Sequence, residues 1–145
     1  MQNVSATGMK IRLVAIPTFP AGFDITQFAD DGDPLSVDNV DIASAAPALN
    51  GDMVVWSQPN IINARISVLP GTEEAKNLGI LWDVNRTGKN KVSAQDVVSM
   101  VITYPNGDQK ICSNGAILSG VPYDGGSSDG RLRTREYGFA FETVV

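Results

Sequence analysis

The stretch I62-NARISVLPGTEEAKNLGILWDVNRT-G88 decides the fold, because its apolar period changes half-way along. Up to Val68, Ile62, Ala64, Ile66 and Val68 alternate with Asn63, Arg65 and Ser67. A two-residue period is that of a half-buried strand. Pro70-Gly71 stops the strand, and Thr72 stands where a helix N-cap belongs. Glu73 and Glu74 follow in the first turn, where carboxylates oppose the positive end of the helix dipole. Ala75, Leu78, Leu81 and Trp82 then recur at helical spacing as one apolar face. Arg86 lies near the C-terminal end and Gly88 can close the helix, which is predicted over about 72–87.

No other segment reads as helix. Residues 10–16 alternate as a strand that Pro17, Pro20 and Gly22 are expected to close, and 23–28 is a short strand. ADDGDP (29–34) signals a turn. Residues 35–49 alternate only in fragments and end in small residues, so they read as an extended arm or long hairpin. Asn50-Gly51-Asp52 is a hairpin turn leading into MVVWS (53–57), another strand. DVVSMVITY (96–104) is apolar on both sides, as a central strand would be, and Pro105-Asn106-Gly107-Asp108 turns the chain. A further strand over 109–121 is interrupted at Asn114-Gly115, and PYDGGSSDG (122–130) is a loop. The chain ends in RLRTREYGFAFETVV (131–145). On one side of it Arg131, Arg133 and Arg135 give way to Tyr137, Phe139 and Phe141. Unbroken, Arg131 to Val145 at about 3.3 Å per residue would span about 46 Å, long for one strand. Tyr137 to Phe141 are therefore expected to anchor in the core, with the arginine half exposed. The fold class is mainly β: a sandwich or partial barrel of about seven or eight strands with one flanking helix. The length of 145 residues suits one domain over 1–145, with an extended acidic arm or loop at about 28–52.

Composition removes several chemistries. The chain has no histidine and one cysteine, Cys112. Ser-His-Asp and Cys-His catalysis, His-based zinc sites and an internal disulfide are thereby excluded. Cys112, in a strand, reads as a small buried apolar residue. DGGSSDGR (124–131) lacks the Lys-Ser/Thr ending of a phosphate loop. DDGDP (30–34) has the wrong ligand spacing for a calcium loop. No catalytic, cofactor or metal residues are assigned, and no enzyme activity is expected. No apolar run is long enough to span a membrane, and MQNVSATGMK (1–10) lacks the layout of a secretory signal.

Charge is distributed unevenly. Between Arg12 and Arg65 there is no Lys or Arg, yet seven aspartates: Asp24, Asp30, Asp31, Asp33, Asp38, Asp41 and Asp52. From Arg65 onward nine basic and nine acidic residues balance. The net charge of −5 argues against tight nucleic-acid binding. An open β-protein must dispose of its sheet edges, and pairing them between identical copies is one way. An acidic segment with Asp30, Asp31, Asp33, Asp38 and Asp41 could then face a basic set of Arg86, Lys89, Lys91, Arg131, Arg133 and Arg135 on a neighbour. The plainer alternative is that these charges only keep a monomer soluble.

The stretch ISVLPGTEEAKNLGILWDVNRTGKNKVSAQDV (66–97), with YPNGD, SNGAI and DGRLRTREYGFAFETVV after it and PTFPAGFDITQFADDGDPL and LNGDMVVWS before it, resembles the tail tube proteins of contractile-tailed bacteriophages. The resemblance covers nearly the whole chain and rests on strand–turn–helix order and phrases such as LNGD, PGTEE and AFE. It implies six copies in a ring and rings stacked into a tube inside a contractile sheath. It also implies DNA passing transiently through the lumen, a place in the virion tail, and assembly in the host cytoplasm. Partners would be further copies, the tail sheath protein, and baseplate and tail terminator proteins, with no membrane. The same resemblance fits a tube initiator or terminal protein that makes a single ring. A monomeric ligand-binding β-barrel module is a reading of another class. Leu78, Leu81, Trp82, Tyr137, Phe139 and Phe141 are the expected core anchors.

Overall fold

The alternation at 62–68 is realised as a strand whose Ala64, Ile66 and Val68 face inward, and the helix begins five residues later. The computed structural model describes residues 7–29, 33–126 and 128–145. Along the chain run β1 (Lys10–Ile16), β2 (Phe19–Ile25), β3 (Leu35–Val37), β4 (Ala43–Pro47) and β5 (Met53–Ser57). There follow β6 (Ile62–Val68), α1 (Glu73–Val84), β7 (Val97–Thr103), β8 (Gln109–Ser119) and β9 (Arg135–Val144). The fold is mainly β, as expected, with nine strands among the described residues rather than seven or eight. The additional strands, β3 and β4, lie in the 35–49 region, where alternation is weakest.

Seven strands form one antiparallel sheet in the order β2-β1-β7-β8-β9-β6-β3. The sheet curls until its ends meet. Residues 27–29, just past β2, pair with the end of β6 through Phe28 and Val68. There Ala29 N–H donates to the Ser67 carbonyl at 3.0 Å and Leu69 N–H to the Gln27 carbonyl at 3.2 Å. β3 continues along the same edge of β6, so one edge of β6 is occupied by two successive pieces of chain. Closure of this kind removes most of an exposed sheet edge.

β1 and β2 depart from expectation in a way the residues explain. Pro20 and Gly22 do not close the first strand; both lie inside β2. β2 bonds only to β1, so the missing N–H of Pro20 can face the unpaired side. Opposite Leu13 and Ala15, β2 carries extra residues between Phe19 and Phe23. Gly22, at φ +75°, makes that bulge possible, because a Cβ there would sit 2.8 Å from the Leu13 carbonyl oxygen. β8 has a second bulge where the sequence suggested an interruption: Asn114 sits at φ +54° between the Cys112–Met100 and Gly115–Val98 pairs.

Inside the curl, Ile11, Leu13, Ile25, Ile66, Val68, Val98, Met100, Tyr137, Phe139 and Phe141 are buried with Ala75, Leu78 and Leu81 of α1. Trp82 packs against this core while half-buried. A fully buried aromatic or aliphatic side chain of this size contributes about 1.5–3 kcal/mol. Cys112 is buried too, and burial pushes its thiol up from the ordinary range. α1 is capped as its sequence dictates, Thr72 Oγ1 accepting from Ala75 N–H at 3.2 Å. It ends earlier than 87, because Asn85 turns its amide back to the Leu81 carbonyl at 2.8 Å. Gly88 instead starts a tight 88–91 hairpin with Lys91, whose turn holds Asn90 at φ +58°.

Candidate assembly surface

β4 and β5 form a two-stranded sheet of their own. Their register sets small residues against large ones: Ala45 opposite Val55, Ala46 opposite Val54, Ser44 opposite Trp56, Pro47 opposite Met53. The turn between them is built by Asn50 and Asp52, with Asn50 Oδ1 accepting from Asp52 N–H at 3.0 Å and Ala48 N–H donating to the Asp52 carbonyl at 2.7 Å. This hairpin is the arm, and with its flanks it spans about 38–60 rather than 28–52. The shift arises because 35–37 bonds to β6 as β3, while MVVWS joins β4 and not the main sheet. Every residue of β5 is exposed: Met53 73%, Val54 51%, Val55 54% and Trp56 47%. Ile42 and Leu49, beside β4, are exposed as well. A lone two-stranded hairpin is marginal in water, and one dressed with apolar side chains is a surface without its cover.

The charged residues expected to reach a neighbour sit in varied places. Asp33 and Asp41 are exposed, and Asp30 and Asp31 lie outside the described residues. Asp38 pairs within the chain with Arg65 at 2.9 Å. Arg86 and Lys91 converge on Asp83, at 3.4 and 2.9 Å, and Arg86 also lies over the Trp82 ring. The hydrogen bond from Lys91 holds the Asp83 carboxyl below its ordinary value. Lys89 is exposed at the tip of the 88–91 hairpin, and Arg131 and Arg133 are exposed ahead of β9. Arg135, expected to project, is the first residue of β9 and is turned inward, its side chain 18% exposed. Its Nε donates to Asp124, and its Nη1 donates to the Ala75 carbonyl at 3.1 Å and to the Tyr137 hydroxyl at 3.4 Å. The Asp124 hydrogen bond raises the guanidinium pKa, and burial raises that of Tyr137.

Two polar joints escaped sequence reading. Asp96 is 4% exposed and accepts from Thr18 N–H at 3.3 Å, from Thr18 Oγ1 and from Asn85 Nδ2 at 2.8 Å, while its own N–H donates to Asn85 Oδ1 at 2.9 Å. This knot ties the β1–β2 turn to the end of α1 and the start of β7. Glu74 accepts from Thr26 N–H, Thr26 Oγ1 and Gln27 N–H at 2.9–3.1 Å, fixing the segment that closes the barrel. Both are contacts between positions far apart in the chain, for which local sequence gives no signal.

Two open depressions flank these features. One of about 760 Å³ runs beside α1 and is walled by Lys76, Ile80, Val121, Asp124 and Arg135. The other, about 700 Å³, lies at the root of the arm among Ile61, Asp96, Val97, Ile117 and Phe141. Neither gathers convergent polar groups on an enclosed cavity, the usual form of a small-molecule site. Among the described residues no group of three or more His, Cys, Asp or Glu could hold a metal ion. No helix among them is long and apolar enough to cross a membrane.

Comparison with known proteins adds to this geometry. The profile of the family described as tail fiber protein gp32 matches residues 2–145. The chain belongs to that family. No curated protein matches it by sequence. Among solved structures, the fold is similar to a chain in the anti-feeding prophage cap, described as a tube terminating cap. There the TM-score is 0.56 at 11% identity, covering 100% of this chain and 91% of that one. It is similar to a chain in the sheath/tube terminator of the PVC extracellular contractile injection system, with TM-score 0.57, 13% identity and coverage of 100% and 96%. It is similar again to a chain in the six-fold symmetrised anti-feeding prophage baseplate, with TM-score 0.56, 12% identity and coverage of 100% and 95%. At such identities the likeness establishes a shared fold. This member of the family described as tail fiber protein gp32 thus shares its fold with chains found in contractile injection systems, a coarser result than the tail tube resemblance implied.

Proposed function

We propose that the protein is a structural subunit of a contractile phage tail that forms a terminal or baseplate ring, and that it performs no catalysis. The observation that carries this reading is the end-to-end match of its fold to chains from two tube-ending assemblies and a baseplate, within a phage-tail family. The uncovered β4–β5 arm supports assembly itself, since its apolar side chains need a partner. In this reading the partners are further copies, arranged with the six-fold symmetry of the related baseplate, and the adjoining tube and sheath components. DNA would cross the ring without specific contact, in keeping with the net charge of −5. The protein would reside in the virion tail and assemble before release from the host cell.

The alternative, a tail tube subunit repeated along the whole tail, differs in copy number. Quantitative mass spectrometry of purified virions, with labelled antibody in electron micrographs, separates the two. One or two rings' worth of copies confined to a tail end is the expected result. Copies in tens of rings along the tail would establish the tube role instead.

A further inference from the structure

The curled sheet is not held equally all round. β1 pairs with β7 from Lys10 to Ile16, and β6 pairs with β9 from Ile62 to Val68. Where the two ends of the curl meet, the described residues form a single bridge, Phe28 with Val68, and two backbone bonds, Ala29 N–H to the Ser67 carbonyl and Leu69 N–H to the Gln27 carbonyl. Thr26 and Gln27 are exposed, and Phe28 packs against the core while half-buried, so little apolar surface holds this seam. Glu74 of α1 supplies the rest. Its Oε1 accepts from Thr26 N–H and Thr26 Oγ1, and its Oε2 accepts from Gln27 N–H. Hydrogen bonds to a carboxylate are stronger than those between neutral groups. An open depression of about 320 Å³ walled by Phe23, Gln27 and Glu74 lies beside these contacts, so water reaches the carboxylate as soon as they break.

We infer that Glu74 is a latch on this seam: when it lets go of Thr26 and Gln27, residues 26–29 part from the end of β6 while the long strand pairs stay intact. Such an opening breaks two backbone bonds and frees one half-buried ring. Parting β6 from β9 or β1 from β7 would instead expose Ile66, Tyr137, Leu13 and Met100, all fully buried. Segments with exposed backbone bonds and few buried contacts open at lower free energy than the core and apart from it. The fold thus has one hinge line, at which the sheet can uncurl without loss of its strand order. Because Glu74 stands in the first turn of α1, release of the latch also loosens the end of β2 from the helix. The device belongs to the single chain and does not depend on how copies assemble.

Native-state hydrogen exchange on the full chain tests this, with the Ala29 and Leu69 amides reporting the seam and the amides bonded between β1 and β7 reporting the core. In the wild type the seam amides are expected to be at least about tenfold less protected than the core, with little dependence on denaturant, since their opening exposes little surface. Equal protection and equal denaturant dependence at both places would mean that the seam opens only with the whole fold, and would overturn the inference. Glu74→Ala should speed exchange of the seam amides by about tenfold or more, the scale of losing hydrogen bonds to a charged group. Glu74→Gln keeps one acceptor oxygen and should fall between Glu74→Ala and the wild type, and it carries the test where Glu74→Ala does not fold. If the variants speed the core amides but leave the seam amides unchanged, the carboxylate contacts survive opening and Glu74 is no latch.

Discussion

Arg135 Nε donates to the Asp124 carboxylate while Nη1 of the same guanidinium donates to the Ala75 carbonyl at 3.1 Å. One side chain therefore ties the start of β9 to the loop before it and to the first turns of α1. The three-arginine run ahead of Tyr137 thus divides by role. Arg131 and Arg133 stay on the surface, and Arg135 is a joint within the chain.

Arg135→Ala is expected to destabilise the fold by about 2–3 kcal/mol, since it leaves a part-buried carboxylate and a helix carbonyl without their donor. For a chain of this length that lowers Tm by roughly 5–10 °C. Arg135→Lys should recover only part of the loss, because an ammonium cannot reach two acceptors with a planar fork. Thermal unfolding of both variants checks this. Arg133→Glu, at an exposed position, should leave Tm unchanged, and a fall as large as that of Arg135→Ala would refute the division between them.

The same pair gives a pH dependence. The Arg135 hydrogen bond lowers the Asp124 pKa, with burial opposing it. A carboxyl whose folded pKa is depressed contributes stability that is complete above its unfolded pKa, near 4, and fades as pH falls through the folded value. The stability of the wild type against urea should therefore fall below about pH 4, and Asp124→Asn should flatten that part of the curve. An identical acid limb in both proteins would show that the pair carries no such linkage.

Asp96 should be among the polar side chains least tolerant of change. Asp96→Ala strands the Thr18 and Asn85 donors at a site that is 4% exposed, and a cost of about 3 kcal/mol is expected. Thr18→Val removes the hydroxyl alone and should cost about 1 kcal/mol. Chemical denaturation of the two variants tests the ranking. Equal losses would mean that the Asn85 contact contributes little.

The parts of this fold legible in sequence are those governed by local periodicity and turn chemistry. Ile62 to Val68 declare a strand by alternation, and Thr72-Glu73-Glu74 declare a helix start by their capping chemistry. Tyr137, Phe139 and Phe141 declare a buried face by spacing alone. What misled was context. MVVWS reads as an ordinary strand, yet every one of its residues is exposed, because nothing local distinguishes apolar residues that enter a core from those that do not. Arg135 continues the pattern of Arg131 and Arg133, and only the packing of Asp124 and Ala75 against it turns it inward. The exposure of the apolar side chains of β5 was accordingly not legible in their composition.

Gly115 offers a test of how closely β8 and β9 are fitted. It pairs with Phe141 just after the Asn114 bulge, and a Cβ at this position would fall 2.2 Å from Phe141 Cδ1 and 2.8 Å from the Ala140 carbonyl oxygen. Phe141 is 1% exposed, so its ring has no free volume into which to swing, and the carbonyl is held in the sheet. The strain must then spread into the backbone, a class of overpacking that costs about 1–3 kcal/mol. Gly126→Ala is the matched control, because nothing lies within 4 Å of its added Cβ. Gly115→Ala should lower the unfolding midpoint in denaturant while Gly126→Ala leaves it in place. If the two variants unfold together, the β8 bulge can shift to admit a methyl group, and the β8–β9 contact is looser than its distances indicate.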